Sequence, residues 1–278
     1  MSEHPTARIA TFNLLHGMGL RSGTADPAAL SAAAHAVGAD LVGLQEVDRH
    51  QERSGDVDQV AVVAEALGAE HWRFVPALHG TPGLGTDWSA ASADDGHETS
   101  GPTYGIGLVS RWPVRRWWVR RFAPAPFSLP LLVPGQTKPR LLRIPDEPRL
   151  ALAALVDGPH GTFTAVTCHL SFVPGYNVRQ LRTITHWLAR MPQPVVLFGD
   201  LNLPGPLPRW TTGWESLAGA ATYPTYNPKI QFDHVLGLGV GPADVRAEHV
   251  LALDVSDHCA LAVDVDLAAA CGRAVPSR

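Results

Sequence analysis

Acidic, amide and imidazole side chains stand where the apolar segments of this sequence stop. The segment PVVLFGDLN is apolar up to Phe198 and then presents a carboxylate and a carboxamide, at Asp200 and Asn202. Gly, Asp and Asn often end strands as turn residues, so this segment alone predicts only a turn. The same change occurs along the whole chain, at Asn13, Glu46, His169, Asp233, Asp257 and His258. Because open sheets place their sites at strand ends, the recurrence favours a functional site over a set of turns.

The residue types in this set predict a site for a hard cation. Its carboxylate and amide oxygens suit Mg²⁺ or Mn²⁺. The pairs Cys168-His169 and His258-Cys259 could indicate zinc. Adjacent strand residues point to opposite faces, however, so if the histidines face the site the cysteines face the core. The sequence therefore favours magnesium or manganese over zinc.

Two histidines, several carboxylates and a divalent ion suit phosphoryl chemistry. Catalysis of phosphoryl transfer is mainly positioning and electrostatic stabilisation of charge on the phosphoryl oxygens. A carboxylate can take the proton of an attacking water, and imidazoles can donate hydrogen bonds to the phosphate. The sequence has no Walker-type Gly-Lys-Ser/Thr loop and no G-x-S-x-G motif. Nucleoside triphosphate binding of that kind and serine-hydrolase chemistry are therefore disfavoured.

Strand and helix patterns alternate, but several strands follow one another directly, which predicts an α/β fold with mixed sheets. Asp26, Pro27 and Gly38 have the spacing of a helix N-cap, first residue and stop. A second capped helix is predicted over residues 56–68, and a hairpin around Gly158. Two long segments, 79–103 and 123–139, lack apolar periodicity and are predicted to be loops at a functional rim or disordered.

Composition indicates a soluble protein of ordinary type. The chain has 278 residues, 45% of them hydrophobic and 17% charged. Its apolar runs are shorter than the ~20 residues that span a bilayer, and its first residues lack a secretory signal pattern. Three cysteines suit a reducing compartment. We expect a cytoplasmic monomer with one domain over residues 1–268 and a flexible tail over 269–278.

One run, SRWPVRRWWVRRF (110–122), interleaves arginines with tryptophans. Such a run could follow a phosphate backbone and stack on bases. A net charge of −4 argues weakly against a protein that coats nucleic acid. An amphipathic edge strand with solvated arginines is the favoured interpretation.

The ordered motifs resemble those of the endonuclease/exonuclease/phosphatase superfamily, whose fold is similar to that of pancreatic deoxyribonuclease. The motifs are TFNLLHG, LQEVD, YGIGLVSRWPV, EPRLALAAL, VTCHL, FGDLN, FDHVL and SDH. They cover essentially the whole chain, and their order is more specific than any one of them. The resemblance implies a four-layer α/β/β/α sandwich, with two mixed sheets face to face and helices outside.

The resemblance also implies roles for individual residues. Glu46 is expected to be the main metal ligand, helped by Asn13 and Asp257. Asp200 is expected to orient or deprotonate water, and Asn202 to fix water and phosphate. His258 is expected to contact the phosphate, while Asp233 holds the His258 ring. His169 and Tyr104 are expected to bind the phosphate as well. Arg149 is expected to be structural.

The motifs leave the substrate open. Abasic-site endonucleases usually have Asp where this chain has Leu15, and inositol polyphosphate phosphatases usually have Cys-Asp-Arg where it has QFDHV. Sphingomyelinase-type members are generally secreted. The leading hypothesis is a Mg²⁺-dependent phosphodiesterase, nuclease-like, with a phosphate ester and possibly nucleic acid as substrate. The alternatives are a phosphomonoesterase acting on a small or lipid phosphate, and a non-catalytic binding module with the same fold.

Overall fold

Two β-sheets pack face to face between outer helices. The computed structural model describes residues 6–83, 87–92, 101–133 and 140–273. The strands of the described residues are β1 (Ala7–Asn13), β2 (Leu41–Arg49), β3 (His71–Gly80), β4 (Trp88–Ala90), β5 (Thr103–Ser110), β6 (Val114–Phe122), β7 (Leu129–Val133), β8 (Arg140–Ile144), β9 (Arg149–Gly158), β10 (Gly161–His169), β11 (Val195–Asp200), β12 (Glu215–Ser216), β13 (Asp233–Leu238), β14 (Val245–Leu251) and β15 (Ala260–Val265). The helices are α1 (Pro27–Val37), α2 (Gln59–Leu67), α3 (Tyr176–Leu188), α4 (Leu207–Thr212) and α5 (Leu267–Arg273).

Both large sheets are mixed, as predicted. The first has the strand order β14-β15-β1-β2-β5-β3-β4, and the second has β12-β13-β11-β10-β9-β6. Strands β1 and β2 are parallel, as are β10 and β11, and the other pairs are antiparallel. Strands β7 and β8 form a separate antiparallel pair.

Three apolar layers hold the sheets and helices together. The layer between the two sheets includes Ile9 and Phe198, both fully buried. A second layer packs the first sheet against α1 and α2, through residues such as Leu30 and Val63. A third packs the second sheet against α3, where Leu181 is fully buried. The four-layer α/β/β/α sandwich is therefore confirmed.

Local sequence explains where α1 and α2 begin and end. The Asp26 side chain accepts a hydrogen bond from a first-turn amide of α1, and Gly38 ends the helix at φ 57°. Glycine takes that left-handed conformation without steric cost. In α2 the cap is Asp58, and Gly68 ends the helix. Both helices are confirmed, although the second begins at Gln59, three residues after the predicted start at residue 56.

The two sheets come closest where their strands carry small or polar residues. A Cβ atom on Gly43 would overlap Thr167 and the ring of Phe198 from the opposite sheet. Beside this contact, Gln45 Nε2 donates a 2.9 Å hydrogen bond to Thr167 Oγ1, and Thr11 Oγ1 donates to Gln45 Oε1. Buried polar groups are stable only when hydrogen-bonded. This polar bridge therefore fixes the sheets against each other in the strands that end at the candidate site.

The structure differs from the predictions in the long segments and at the C-terminus. The segment 123–139 contains β7, which pairs with β8, so the prediction of a structureless segment is wrong for Leu129–Val133. The sequence did not indicate this strand because its partner β8 lies outside the segment and Pro130 interrupts the strand pattern. Within 79–103, Trp88–Ala90 pairs with the end of β3; residues 84–86 and 93–100 lie outside the described residues. Residues 269–273, predicted to be tail, belong to α5, which buries two apolar side chains against the core between the sheets.

Strand direction brings the candidate residues to one end of the sandwich. Strands β1, β2, β10 and β11 end there, and β13 begins there because it runs antiparallel to β11, with Asp233 paired with Asp200. Strand β15 is antiparallel to β1 and begins just after His258. In the described part of the chain, the helices are all too short or too polar to cross a membrane.

Candidate active site

A buried carboxamide joins the two sheets at the candidate site. Asn13, at the end of β1, donates hydrogen bonds of 3.0 Å from Nδ2 to Glu46 Oε1 and to Asp200 Oδ2. Glu46 belongs to the first sheet and Asp200 to the second. Ser256 Oγ donates to the Asn13 carbonyl oxygen at 2.6 Å and accepts from the His258 amide. The turn before β15 is therefore tied to the same junction.

An irregular backbone presents Glu46. The pairing of β2 with β5 shifts register between Leu44 and Val47, and Glu46 has φ 55° within that shift. Such conformations are uncommon for residues other than glycine, and bulges often redirect side chains beside active sites. Strand β2 continues to Arg49, so Glu46 lies inside the strand. The sequence pattern had predicted that the strand ends at Glu46.

His258 and Asp233 form a buried pair. His258 Nδ1 lies 2.8 Å from Asp233 Oδ2, and the same oxygen accepts a 2.5 Å hydrogen bond from Thr222 Oγ1. The ring of Tyr223 lies 4.9 Å from the imidazole. Burial alone lowers the pKa of His258, but the charge and hydrogen bond of Asp233 outweigh it and raise the pKa to about 10. His258 is therefore an imidazolium ion at neutral pH.

Asp200 is buried and titrates near neutrality. Burial raises the pKa of its carboxyl, the positive charge of His258 lowers it and the charge of Asp233 raises it, to give a value of about 7. Hydrogen bonds from Asn13 and from the Asn202 amide, which donates to Oδ1 at 2.9 Å, favour the ionised form. The environment thus prepares this carboxyl to exchange a proton near physiological pH.

His169 lies against Asp200 on one side and an arginine on the other. Its Nε2 is 3.6 Å from Asp200 Oδ2, and Arg149 lies 3.0 Å from its Nδ1. Burial and the charges of Arg149 and His258 hold the pKa of His169 well below its usual range. The same guanidinium nitrogen lies 3.3 Å from Nε2, and because a guanidinium can only donate hydrogen bonds, the ring accepts from Arg149.

Asn202 and Tyr104 are less available to a substrate than the sequence predicted. Asn202 Nδ2 donates to the Leu170 carbonyl oxygen at 2.9 Å, so part of its amide group is already engaged. Tyr104 is 5% exposed, and the Arg53 guanidinium lies 6.0 Å from its ring. Burial and the charge of Glu46 hold the pKa of the Tyr104 phenol well above its usual range, so it remains a hydrogen-bond donor.

Several residues support the site. Arg149, predicted to be structural, touches His169 and lies 3.7 Å from Glu147. Others were not singled out from the sequence. Asp48 holds Arg53 through two hydrogen bonds of 2.8 Å. Asp48 is the last residue of the motif LQEVD, and this second acid beside Glu46 is the signal that could have identified it; Arg53 lies outside the motif. Other supports, at Gln45, Thr222 and Ser256, are common residue types without a local pattern.

The donor set fits a hard divalent cation. Asn13, Glu46 and Asp257 were predicted to bind it. Asn13 Nδ2 already donates two hydrogen bonds, so Asn13 could contribute only Oδ1, which also accepts a 3.1 Å hydrogen bond from the Leu15 amide. Burial raises the pKa of the Asp257 carboxyl, the charge of His258 lowers it, and the negative charge of Glu46 raises it again. The negative charge of Glu46 thus disfavours ionisation of Asp257, and a bound cation would offset this effect.

The distances between potential ligand atoms would also allow a second cluster to bind a metal ion. Potential ligand atoms of Asp200, Asp233 and His258 lie within 4.8 Å of one another. Two of these residues already share the 2.8 Å hydrogen bond between His258 and Asp233. All-oxygen donors are also what Mg²⁺ prefers. The set around Glu46 is consequently the better fit.

The arginine-tryptophan run is an edge strand of the second sheet, which agrees with the favoured interpretation. Trp117 packs into the layer between the sheets, and Trp118 packs into the layer beneath α3. Arg115 pairs with Asp157 at 2.6 Å. These half-buried tryptophans support packing rather than a platform for stacked bases.

The His258–Asp233 pair predicts a specific pH dependence of stability. The folded pKa of about 10 exceeds the ordinary value of 6.5, so the pair stabilises the fold fully below about pH 6.5 and loses this contribution as the pH rises through 10. His258→Gln should lower the melting temperature most at pH 6 and least at pH 10, measured in EDTA. The exposed His35→Gln on α1 is the control. A deficit that is constant across this range would contradict the pairing.

Comparisons with known proteins agree with this geometry. Residues 10–258 match the model of the Endonuclease/Exonuclease/phosphatase family. No curated protein sequence matches the chain significantly. Solved structures with the same fold include an endonuclease/exonuclease/phosphatase from Beutenbergia cavernae DSM 12333, with a TM-score of 0.62 and 24% identity over 94% of this chain and 72% of that one. A mannosyl-6-phosphatase from Bacteroides thetaiotaomicron VPI-5482 has a TM-score of 0.58 and 14% identity, over 94% of this chain and 100% of that one.

Sphingomyelinase C from Streptomyces griseocarneus has a TM-score of 0.51 and 15% identity, over 95% of this chain and 100% of that one. At such identities these likenesses concern the fold alone. The family match is broader, since it extends from β1 to His258 and includes the strand ends that meet at the site. The chain therefore belongs to the Endonuclease/Exonuclease/phosphatase family, whose members are generally divalent-metal-dependent hydrolases of phosphate esters.

Proposed function

We propose that this chain is a Mg²⁺-dependent phosphodiesterase with nuclease-like chemistry, which hydrolyses its substrate by in-line attack of water. The observation that carries the proposal is the junction at which Asn13 holds Glu46 and Asp200 together, beside the His258–Asp233 pair. It combines oxygen atoms suited to a divalent metal ion, the Asp200 carboxyl, which titrates near pH 7, and the buried imidazolium of His258. Each of these groups has a distinct part in phosphoryl transfer.

Asp200 is the group that accepts the proton of the attacking water. Its pKa of about 7 is close to the working pH, where a general base is most effective. Asn13 and the Asn202 amide each occupy one oxygen of the carboxylate. A carboxylate has about four acceptor positions, so others remain for water. The two hydrogen bonds fix the direction in which those positions point.

The two histidines stabilise negative charge on the phosphate in different protonation states. His258 is cationic, and because Nδ1 faces Asp233 its Nε2–H is available to a phosphoryl oxygen. His169 is neutral, and its ring lies against the Arg149 guanidinium. Fixed donors of this kind need no reorganisation as charge develops, which is the main source of electrostatic catalysis.

Asn13, Glu46 and Asp257 are the residues that would hold Mg²⁺. When bound, this ion polarises a phosphoryl oxygen and offsets the negative charge of the transition state. The carboxylates supply the charge that retains the ion, while the Asn13 hydrogen bonds orient Glu46.

The charges near the phosphate favour a diester over a monoester. The two site arginines are already engaged, Arg53 with both oxygens of Asp48 and Arg149 with His169. A monoester phosphate carries close to two negative charges at neutral pH and is bound best by an arginine fork that can engage two oxygens. A diester carries one charge, which the single imidazolium of His258 can match. Nucleic acid is one diester that the proposal includes.

A panel of four substrates tests the proposal. With Mg²⁺, the protein should hydrolyse bis-p-nitrophenyl phosphate and cleave plasmid DNA or RNA, and EDTA should abolish these activities. Activity on p-nitrophenyl phosphate should be much lower. Hydrolysis of the monoester alone would contradict the proposal and support the phosphomonoesterase alternative. Inactivity towards all four substrates would support the binding module.

Asp200→Asn should lower kcat on the diester by about 100-fold or more, because an amide cannot accept the proton. The fold should persist, since the side chain keeps its shape. Asp244→Asn is the matched control: Asp244 is equally buried and accepts a backbone hydrogen bond, but it lies near the far ends of β14 and β15. Equal losses of activity in the two variants would contradict the role of Asp200.

A further inference from the structure

An apolar cavity of about 220 Å³ lies beside the candidate site. One wall comes from β3 and the residues that end β4, including Ala77, Ala90 and Ala91. The opposite wall comes from the end of β6 and the residues after it, including Ala123. Small side chains on both walls leave the space open.

The cavity is connected to the catalytic residues through a shared wall. A narrow cleft of about 10 Å³ is lined by Tyr104 and His169. Ala77, Pro148 and Arg149 line both the cleft and the cavity. A ligand group in the cavity would consequently lie against Arg149, whose guanidinium contacts the imidazole of His169.

The polar groups of the cavity are mainly guanidinium groups. Arg121 lines the cavity and donates a 2.5 Å hydrogen bond to the Pro76 carbonyl oxygen. Arg149 is 6% exposed, and its Nε has no hydrogen-bond partner among the described residues, although Asp146 Oδ1 lies 3.8 Å away as an ion pair. Apolar walls with positive charge at the side that faces the phosphate centre complement a ligand that is apolar at one end and anionic at the other.

We propose that this cavity binds the apolar ester group of a phosphate-ester substrate, such as an aromatic ring or a compact hydrocarbon chain. The phosphate of the same molecule would lie between Asp200 and His258, so the inference rests on the proposed function. An apolar cavity of about 150 Å³ is large enough to bind benzene, so the space here accommodates a single ring. A sugar is a poorer fit, because its hydroxyl groups would face alanine and proline side chains.

Binding of two phosphinates, which carry one negative charge and no ester bond, tests the cavity without requiring turnover. Isothermal titration calorimetry with Mg²⁺ present should show that benzyl(methyl)phosphinate binds ~10- to 100-fold more tightly than dimethylphosphinate, because only the former buries a ring. Ala90→Trp and Ala123→Trp should each fill the cavity and abolish this preference. Both alanines are exposed, so the larger side chains should leave the fold intact. Ala36→Trp, exposed on α1, is the control and should keep the preference.

The outcomes separate this inference from the proposed function. Loss of the preference in either cavity variant, with retention in Ala36→Trp, supports the cavity even if the protein hydrolyses no diester. No preference in the unsubstituted protein, or retention of the preference in both cavity variants, overturns it even if the protein is an active phosphodiesterase.

Discussion

The two hydrogen bonds that Asn13 donates are the constraint on which the site depends. They join a carboxylate of the first sheet to a carboxylate of the second across the end of the sandwich, at 3.0 Å each. Two acids this close would otherwise repel each other and take up water. Below them, the Gln45–Thr167 hydrogen bond and the close approach at Gly43 fix the distance between the sheets. The geometry of the site is thus a property of how the sheets pack.

Burial then gives each titratable group a different protonation state. The same loss of solvent raises the pKa of Asp200 and lowers that of His169, while Asp233 reverses the effect for His258. An acid near its pKa, a neutral imidazole and an imidazolium consequently lie side by side. Such differences between neighbouring groups are a common sign of an active site. Here they come from burial together with the charges of Asp233, His258 and Arg149.

The sequence predicted the fold, and it identified residues that the structure brings together, because strand-end residues carry both structural and chemical information. Asp200 follows an apolar strand, and the order of such residues along the chain resembled one family. The roles assigned to these residues stay predictions. The conformation of Glu46 inside a bulge, the contact of Arg149 with His169 and the pairing of β7 depend on residues distant in sequence. Local patterns do not encode such long-range contacts, so these features required the structure.

The position of a bound metal ion tests the central claim most directly. Crystals grown with Mn²⁺, which scatters anomalously, would locate the ion in the folded protein. We predict one anomalous peak within coordination distance of Glu46 and Asp257, with the His258–Asp233 hydrogen bond intact. A peak bound instead by Asp233 and His258, with that hydrogen bond broken, would contradict it.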